Sequence, residues 1–257
     1  MAREVILISR TLDRFALSGN ALKIIAVLSM LIDHTGVILL PDVTILRIIG
    51  RIAFPIYAFM IAEGCAYTRN RLRYFLTVFV LGAGCQIVYY LYDGSINMGI
   101  LITFSISILV IYAMQFLKEV LFAAEICHCK KCAAILCFLT VIAGVYFLNR
   151  HHNIDYGFWG CMTPVFASVF RKTRSNPSLY SERFDRLPIH VFMLGIGLIM
   201  VSCISGGIQF YSLLALPLLM LYSGKRGTWN MKSFFYIFYP AHLVALECAA
   251  IVLSYFL

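Results

Sequence analysis

The run Leu22-Lys23-Ile24-Ile25-Ala26-Val27-Leu28-Ser29-Met30-Leu31-Ile32-Asp33-His34-Thr35-Gly36-Val37-Ile38-Leu39-Leu40 decides the fold. A helix needs about 20 apolar residues to cross the hydrocarbon core of a bilayer. Only helices and closed barrels satisfy every backbone group without water. The run therefore reads as a spanning helix that carries an ionisable Asp-His pair inside the membrane. Eight more apolar segments follow, at about 46–67, 74–92, 98–116, 133–148, 156–170, 189–205, 208–222 and 234–256. Those at 156–170 and 208–222 are short for a span. The chain is 61% hydrophobic and 13% charged, against about 45–50% and 25% in soluble proteins. Charges so sparse cannot cover a soluble domain of this length, and an aromatic content of 14% excludes disorder. The expected fold is all-α: a polytopic membrane helix bundle of about nine transmembrane helices, forming a single domain over residues 1–257.

The net charge of +9 reports topology and not nucleic-acid binding. Lys and Arg gather in cytoplasmic loops, and 18 of the 21 basic residues fall before the first segment or in alternate gaps after it. Residues 1–20 are thus expected in the cytoplasm and the C-terminus outside. If 156–170 did not cross, five basic residues between Arg171 and Arg186 would change sides. No signal peptide is expected, because Arg10, Asp13 and Arg14 interrupt the N-terminal apolar pieces. Glu4 to Leu17 reads equally as an interfacial helix or a frayed tail. The Cys-His-Cys-Lys-Lys-Cys run at 127–132 lacks the second paired half of a zinc site, so no metal is predicted. His151, His152 and Asp155 read as ordinary loop residues for the same purpose.

Ionisable residues within membrane segments are costly and mark function. His34 lies 11 residues past Lys23, about 16 Å along a helix and near mid-membrane. With an unperturbed pKa near neutrality it is a candidate acid/base. Adjacent helix positions differ by about 100°, so Asp33 and His34 cannot face one spot. Arg47 and Arg51 share a face at i, i+4. Arg47 is within snorkelling reach of the surface, whereas Arg51 calls for Asp33 or an anionic substrate group as its partner. Pro55 is expected to kink this helix and free a carbonyl. Glu63 reads as a partner of Arg69 or Arg71, or as a functional carboxylate. His242, in Tyr239-Pro240-Ala241-His242, lies about ten residues past Lys232 and is a second candidate base. Two classes accommodate these residues: a membrane enzyme, or a secondary transporter with an intramembrane Asp/His/Arg relay. A non-catalytic scaffold is a third.

Particular residues carry a family resemblance. Asn20-Ala21-Leu22-Lys23-Ile24-Ile25-Ala26, Met30-Leu31-Ile32-Asp33-His34-Thr35-Gly36 and Leu46-Arg47-Ile48-Ile49-Gly50-Arg51-Ile52-Ala53-Phe54-Pro55 resemble the TraX family. Glu63-Gly64, Thr68-Arg69-Asn70, Asn153-Ile154-Asp155-Tyr156-Gly157 and Tyr239-Pro240-Ala241-His242-Leu243 extend the likeness. The named member of that family acetylates the N-terminus of F-pilin, and the family is similar to transmembrane acyltransferases that use acetyl-CoA. The resemblance implies a bacterial cytoplasmic-membrane acetyltransferase whose acceptor is a peptide or pilin amine, or a glycan hydroxyl. In that scheme His34 is the base or a transient acyl carrier, and Asp33 orients its ring or stabilises its cation. Arg51 steadies the oxyanion or neutralises Asp33, and His242 is the alternative base. Lys23, Arg69, Arg71 and Arg73 would meet the phosphates of acetyl-CoA. Arg47, Glu63, Asp155 and Tyr239 would face the acceptor. Oligomeric state is not fixed by the sequence.

Overall fold

The computed structural model describes residues 16–94, 96–123, 126–172, 184–229 and 231–255. Nearly all of the stretch Glu4 to Leu17 lies outside them. The described residues form helices and no strands. The helices are α1 (Gly19–Ile38), α2 (Thr44–Gly50), α3 (Ala53–Tyr67), α4 (Arg71–Asp93), α5 (Ile100–Phe122), α6 (His128–His151), α7 (Gly157–Ser168), α8 (Leu187–Ser205), a 3-10 helix (Gly207–Leu214), α9 (Ala215–Met220) and α10 (Lys232–Ser254). Seven are long and apolar enough to cross a membrane when α2 and α3 are taken as one. The expected segments at 156–170 and 208–222 are the two that fall short. The first is the twelve-residue α7. The second divides into an eight-residue 3-10 helix and the six-residue α9.

Two compact units share the chain: residues 1–57 with 206–257, and residues 58–205. In the first unit α1 packs on α2 and α10, and α2 packs on the 3-10 helix. The N-terminus of α1 is tied down by the loop after α9. Ser18 caps it through its hydroxyl, which accepts from the Ala21 N–H. The Gly19 and Asn20 N–H groups donate to the Lys225 and Arg226 carbonyls, and the Asn20 amide donates to Trp229 O at 2.6 Å. Donors that a helix leaves orphaned at its start are thereby satisfied.

In the second unit α5 packs against α4, α6 and α7, and α7 against α8. Asn70 caps α4 by accepting from Arg73 N–H, and Gly94, at φ 70°, ends it in the left-handed conformation. Both ends of α7 are fixed to the corresponding ends of α5. Before α7, the Met98 N–H donates to Asn153 O, Asp155 N–H donates to Met98 O, and Thr103 Oγ1 donates to Asp155 O. After α7, Lys118 Nζ donates to the Ser168 and Val169 carbonyls. Residues 154–169 therefore run parallel to α5 for most of its length. The turn before the helix and the residues after it add reach to twelve helical residues of about 18 Å. On α6 the large apolar side chains Leu136, Leu139 and Phe147 are exposed, as expected of a face that meets lipid.

Candidate functional site

The first unit assembles the Asp-His pair and the arginine pair around a broken helix. Pro55 has no N–H for the Arg51 carbonyl, and its ring clashes with that carbonyl. The expected kink is a full break: α2 ends at Gly50, two turn residues follow, and α3 restarts at Ala53 with Pro55 in its first turn. The Arg51 and Ile52 N–H groups make tight i→i−3 bonds to Ile48 O and Ile49 O. Ser29 of α1 supplies a further donor, its hydroxyl reaching Ile49 O at 2.6 Å and Gly50 O at 3.3 Å.

Close approach of α1 and α2 depends on two glycines. A Cβ on Gly36 would stand 2.8 Å from the Leu46 Cβ, and one on Gly50 would stand 2.3 Å from the Asp33 carboxylate. With neither present, Asp33 lies against α2 between the two arginines. Arg51 Nη2 donates to both Asp33 oxygens at 2.9 and 3.1 Å, its Nη1 donates to Gln209 Oε1 at 3.1 Å, and its Nε donates to Arg47 O at 3.3 Å. Arg51 is thus held from every side. Arg47 Nε stands 3.1 Å from Asp33 Oδ1, and that N–H is not aligned for a hydrogen bond.

His34 faces the other way, onto α10. Its Nδ1 is 3.0 Å from His242 Nε2, with ring centroids 5.0 Å apart. His242 Nδ1 is 2.9 Å from the Phe238 carbonyl, and a carbonyl only accepts. His242 therefore carries its proton on Nδ1, and its Nε2 is the acceptor. With both rings neutral, His34 then donates from Nδ1 and its own Nε2 is the unprotonated nitrogen. The Phe238 ring, stacked on His242 at 5.0 Å and 7°, and the Tyr239 ring at 5.8 Å hold that imidazole in place. His34 thus has the tautomer and fixed orientation that a general base needs. Asp33 and Arg47 act on the ring electrostatically. The ring's orienting hydrogen bond goes to His242, and Asp33, expected in that role, is taken up by the arginines.

Residues 18–250 match the family described as TraX protein. The chain belongs to the TraX family. It is 24% identical to the probable fimbrial assembly protein FimC, serogroup H1, of Dichelobacter nodosus, over 94% of this chain and 98% of that protein. It is also 55% identical to an uncharacterized protein of Rickettsia prowazekii (strain Madrid E), over a 40-residue stretch that is 16% of each chain. No solved structure matches it. Family membership and seven long apolar helices make the chain a multi-pass membrane protein.

The other residues that the TraX resemblance singled out are dispersed. Lys23, on α1, lies 5.7 Å over the Phe235 ring. In the second unit Arg69 and Arg73 are exposed, while Arg71 is paired with Glu119 at 3.2 Å and lies over the Tyr112 ring. Asp155 is exposed, and its backbone makes the clasp between α5 and α7. Glu63 pairs with neither Arg69 nor Arg71. Arg171 takes it at 2.9 Å, donating also to Ala167 O and lying 4.9 Å over the Phe59 ring. Arg171, Lys118 and His190 are all buried, and His190 meets Asp185 at 2.8 Å. Along the chain Lys118 and Arg171 both fall among the basic residues of the gaps between apolar segments. Lys118 lies inside α5, which runs to Phe122, and Arg171 follows α7 after two turn residues. Gln209, a buried partner of Arg51, had no signal at all in the sequence.

Proposed function

We propose that this TraX-family protein is a membrane acetyltransferase that moves an acetyl group from cytosolic acetyl-CoA to an amine or hydroxyl of an envelope acceptor. The observation that carries this reading is the His34–His242 pair, which leaves an unprotonated Nε2 on a mid-helix histidine. An acceptor amine or hydroxyl loses its proton to that nitrogen as it attacks the thioester carbonyl. The tetrahedral intermediate then expels the CoA thiolate, and the proton passes from His34 to the sulfur. Acceptor and acetyl-CoA thus yield acetylated acceptor and CoA, with the histidine regenerated. Asp33, anchored by Arg51, sits within electrostatic range of the imidazolium formed in passing. Lys23, in the same unit as His34, suits the donor's phosphates.

The likeness to a fimbrial assembly protein makes a pilin-type peptide the first acceptor to try. In the topology that goes with this reading the N-terminus is cytoplasmic and the C-terminus outside, in the bacterial cytoplasmic membrane. The alignment of residues 154–169 along α5 supports a crossing at 156–170. The 3-10 helix and α9 together reach about 25 Å, because a 3-10 helix rises about 2.0 Å per residue, and this supports a crossing at 208–222. Both crossings together give nine spans, again an odd number.

The test is acetyl transfer from labelled acetyl-CoA by the purified protein in nanodiscs, with pilin-type peptides and envelope glycans as acceptors. Label in the acceptor, lost on His34→Ala substitution, is the expected result. Flux of a substrate through liposomes with no label transferred would place the chain among transporters instead. A phenotype that survives neutralising Asp33, His34 and Arg51 would make it a scaffold.

A further inference from the structure

Three groups meet at the junction of α1, α2 and the 3-10 helix: one carboxylate and two guanidiniums. Arg51 engages Asp33 through both carboxylate oxygens and uses its remaining donors on Gln209 and a backbone carbonyl. Asp33 and Arg51 therefore close as a neutral pair. The charge of Arg47 is left over. Its Nε lies near Asp33 without a hydrogen bond, and its two Nη groups make none among the described residues. A net positive charge in a membrane segment is costly unless an anion or water answers it. The Arg47 side chain is 30% exposed, so it is open from one side. Its stem is held in place: Cγ and Cδ pack over Gly36, at 3.6 and 3.4 Å from where a Cβ would stand. The result is a rigid, half-exposed guanidinium fork whose free edge is the geometry that takes two oxygens of a carboxylate or phosphate.

We propose that Arg47 is an anion-binding residue, taking a phosphate- or carboxylate-type oxygen pair at its free edge. As an anchor for the acceptor it rests on the acetyl-transfer reading, and it then names the acceptor's class: a molecule with an anionic group besides the amine or hydroxyl to be acetylated. Such a group on Arg47 holds the acceptor in the unit that carries His34. Arg51 has no part in this, because its donors are occupied.

The experiment is phenylglyoxal labelling of the full-length protein in dodecyl maltoside, which carries no phosphate, with the modified arginines located by mass spectrometry. Arg47 should react and Arg51 should stay unmodified. Inorganic phosphate or acetate should slow Arg47 labelling at least severalfold, which assigns the site to a soluble anion. Protection by added phosphatidylglycerol and not by phosphate or acetate assigns the same oxygen pair to a lipid headgroup. Labelling of Arg47 at an unchanged rate under all three additions overturns the proposal, and so does equal labelling of Arg51. Because the readout needs no turnover, it separates failure of this site from failure of the acetyl-transfer reading. Arg47→Lys, which keeps the charge and loses the fork, supplies the second arm. If the protein transfers acetyl groups, this variant should raise the acceptor KM about tenfold or more with little change in kcat. An unchanged KM removes the acceptor from the site.

Discussion

Each unit of the chain holds arginine, carboxylate and histidine among membrane helices, and the two clusters are built on different terms. Among the described residues of 58–205, the cluster sets Arg71, Lys118 and Arg171 against Glu63, Glu119 and Asp185. Arg171 is stacked on Phe59, Lys118 ends on the terminal carbonyls of α7, and His190 is bound to Asp185. A cation at a helix C-terminus stabilises it by about 0.3–1 kcal/mol, more when partly buried. In the first unit two arginines share one carboxylate, and a histidine pair leaves a ring nitrogen with its lone pair unused. A balanced cluster holds helices together. In the unbalanced one, the anion proposed for Arg47 supplies the missing charge.

That contrast breaks first at His34. His34→Ala should lower acetyl transfer by about 10²–10⁴-fold, the usual contribution of a positioned acid/base, while folded yield by size-exclusion chromatography stays at the wild-type level. The matching change in the second unit is Glu63→Gln, which leaves Arg171 as an uncompensated buried charge. Breaking one side of a buried pair costs about 3–5 kcal/mol, so the folded yield and the thermal midpoint should fall sharply. The specific activity of the protein that remains should not. If Glu63→Gln instead spared stability and abolished transfer, the division between the clusters would be wrong.

A finer test lies at His242. Gln at that position offers an amide oxygen to the His34 Nδ1–H, and Leu does not. His242→Leu should lose transfer by on the order of tenfold or more, and His242→Gln should recover most of it. Equal loss in both would mean that the imidazole itself carries a proton. Gly50→Ala sets a Cβ 2.3 Å from the Asp33 carboxylate. Overpacking of this kind costs about 1–3 kcal/mol, measurable as a lowered thermal midpoint, with Arg51 becoming open to phenylglyoxal. The smallest effect belongs to Ser29→Ala, which removes the donor to the carbonyls at the helix break. About 0.5–1.5 kcal/mol is the usual net worth of one such bond, read as a small shift of the midpoint with transfer unchanged.

Much of this was legible in the residues. The apolar run at 22–40 and six of its fellows are long helices, because length and hydropathy are local properties. Asp33 and His34 face different neighbours, as a 100° step requires. Arg51 meets Asp33, one of the two partners its depth called for. Pro55 ends a helix because it lacks an N–H, although the chain breaks instead of bending. The histidine pair was visible only as a coincidence of register: His34 lies 11 residues past Lys23 and His242 ten past Lys232. Equal depths do not say that two helices touch. Glu63 went to Arg171, 108 residues away, and no spacing along the chain encodes that partner.

The sequence by itself determined a helical membrane protein with ionisable groups placed at depth, because the bilayer admits few backbone solutions and taxes every charge. Tertiary structure decided which of those groups meet. Contact between α1 and α2 rests on the absent Cβ atoms of Gly36 and Gly50, and contact between His34 and His242 on the packing of α10 against α1. Tautomer, charge balance and the open edge of Arg47 all follow from those contacts, since a proton's position and a charge's partner are properties of neighbours and not of residues.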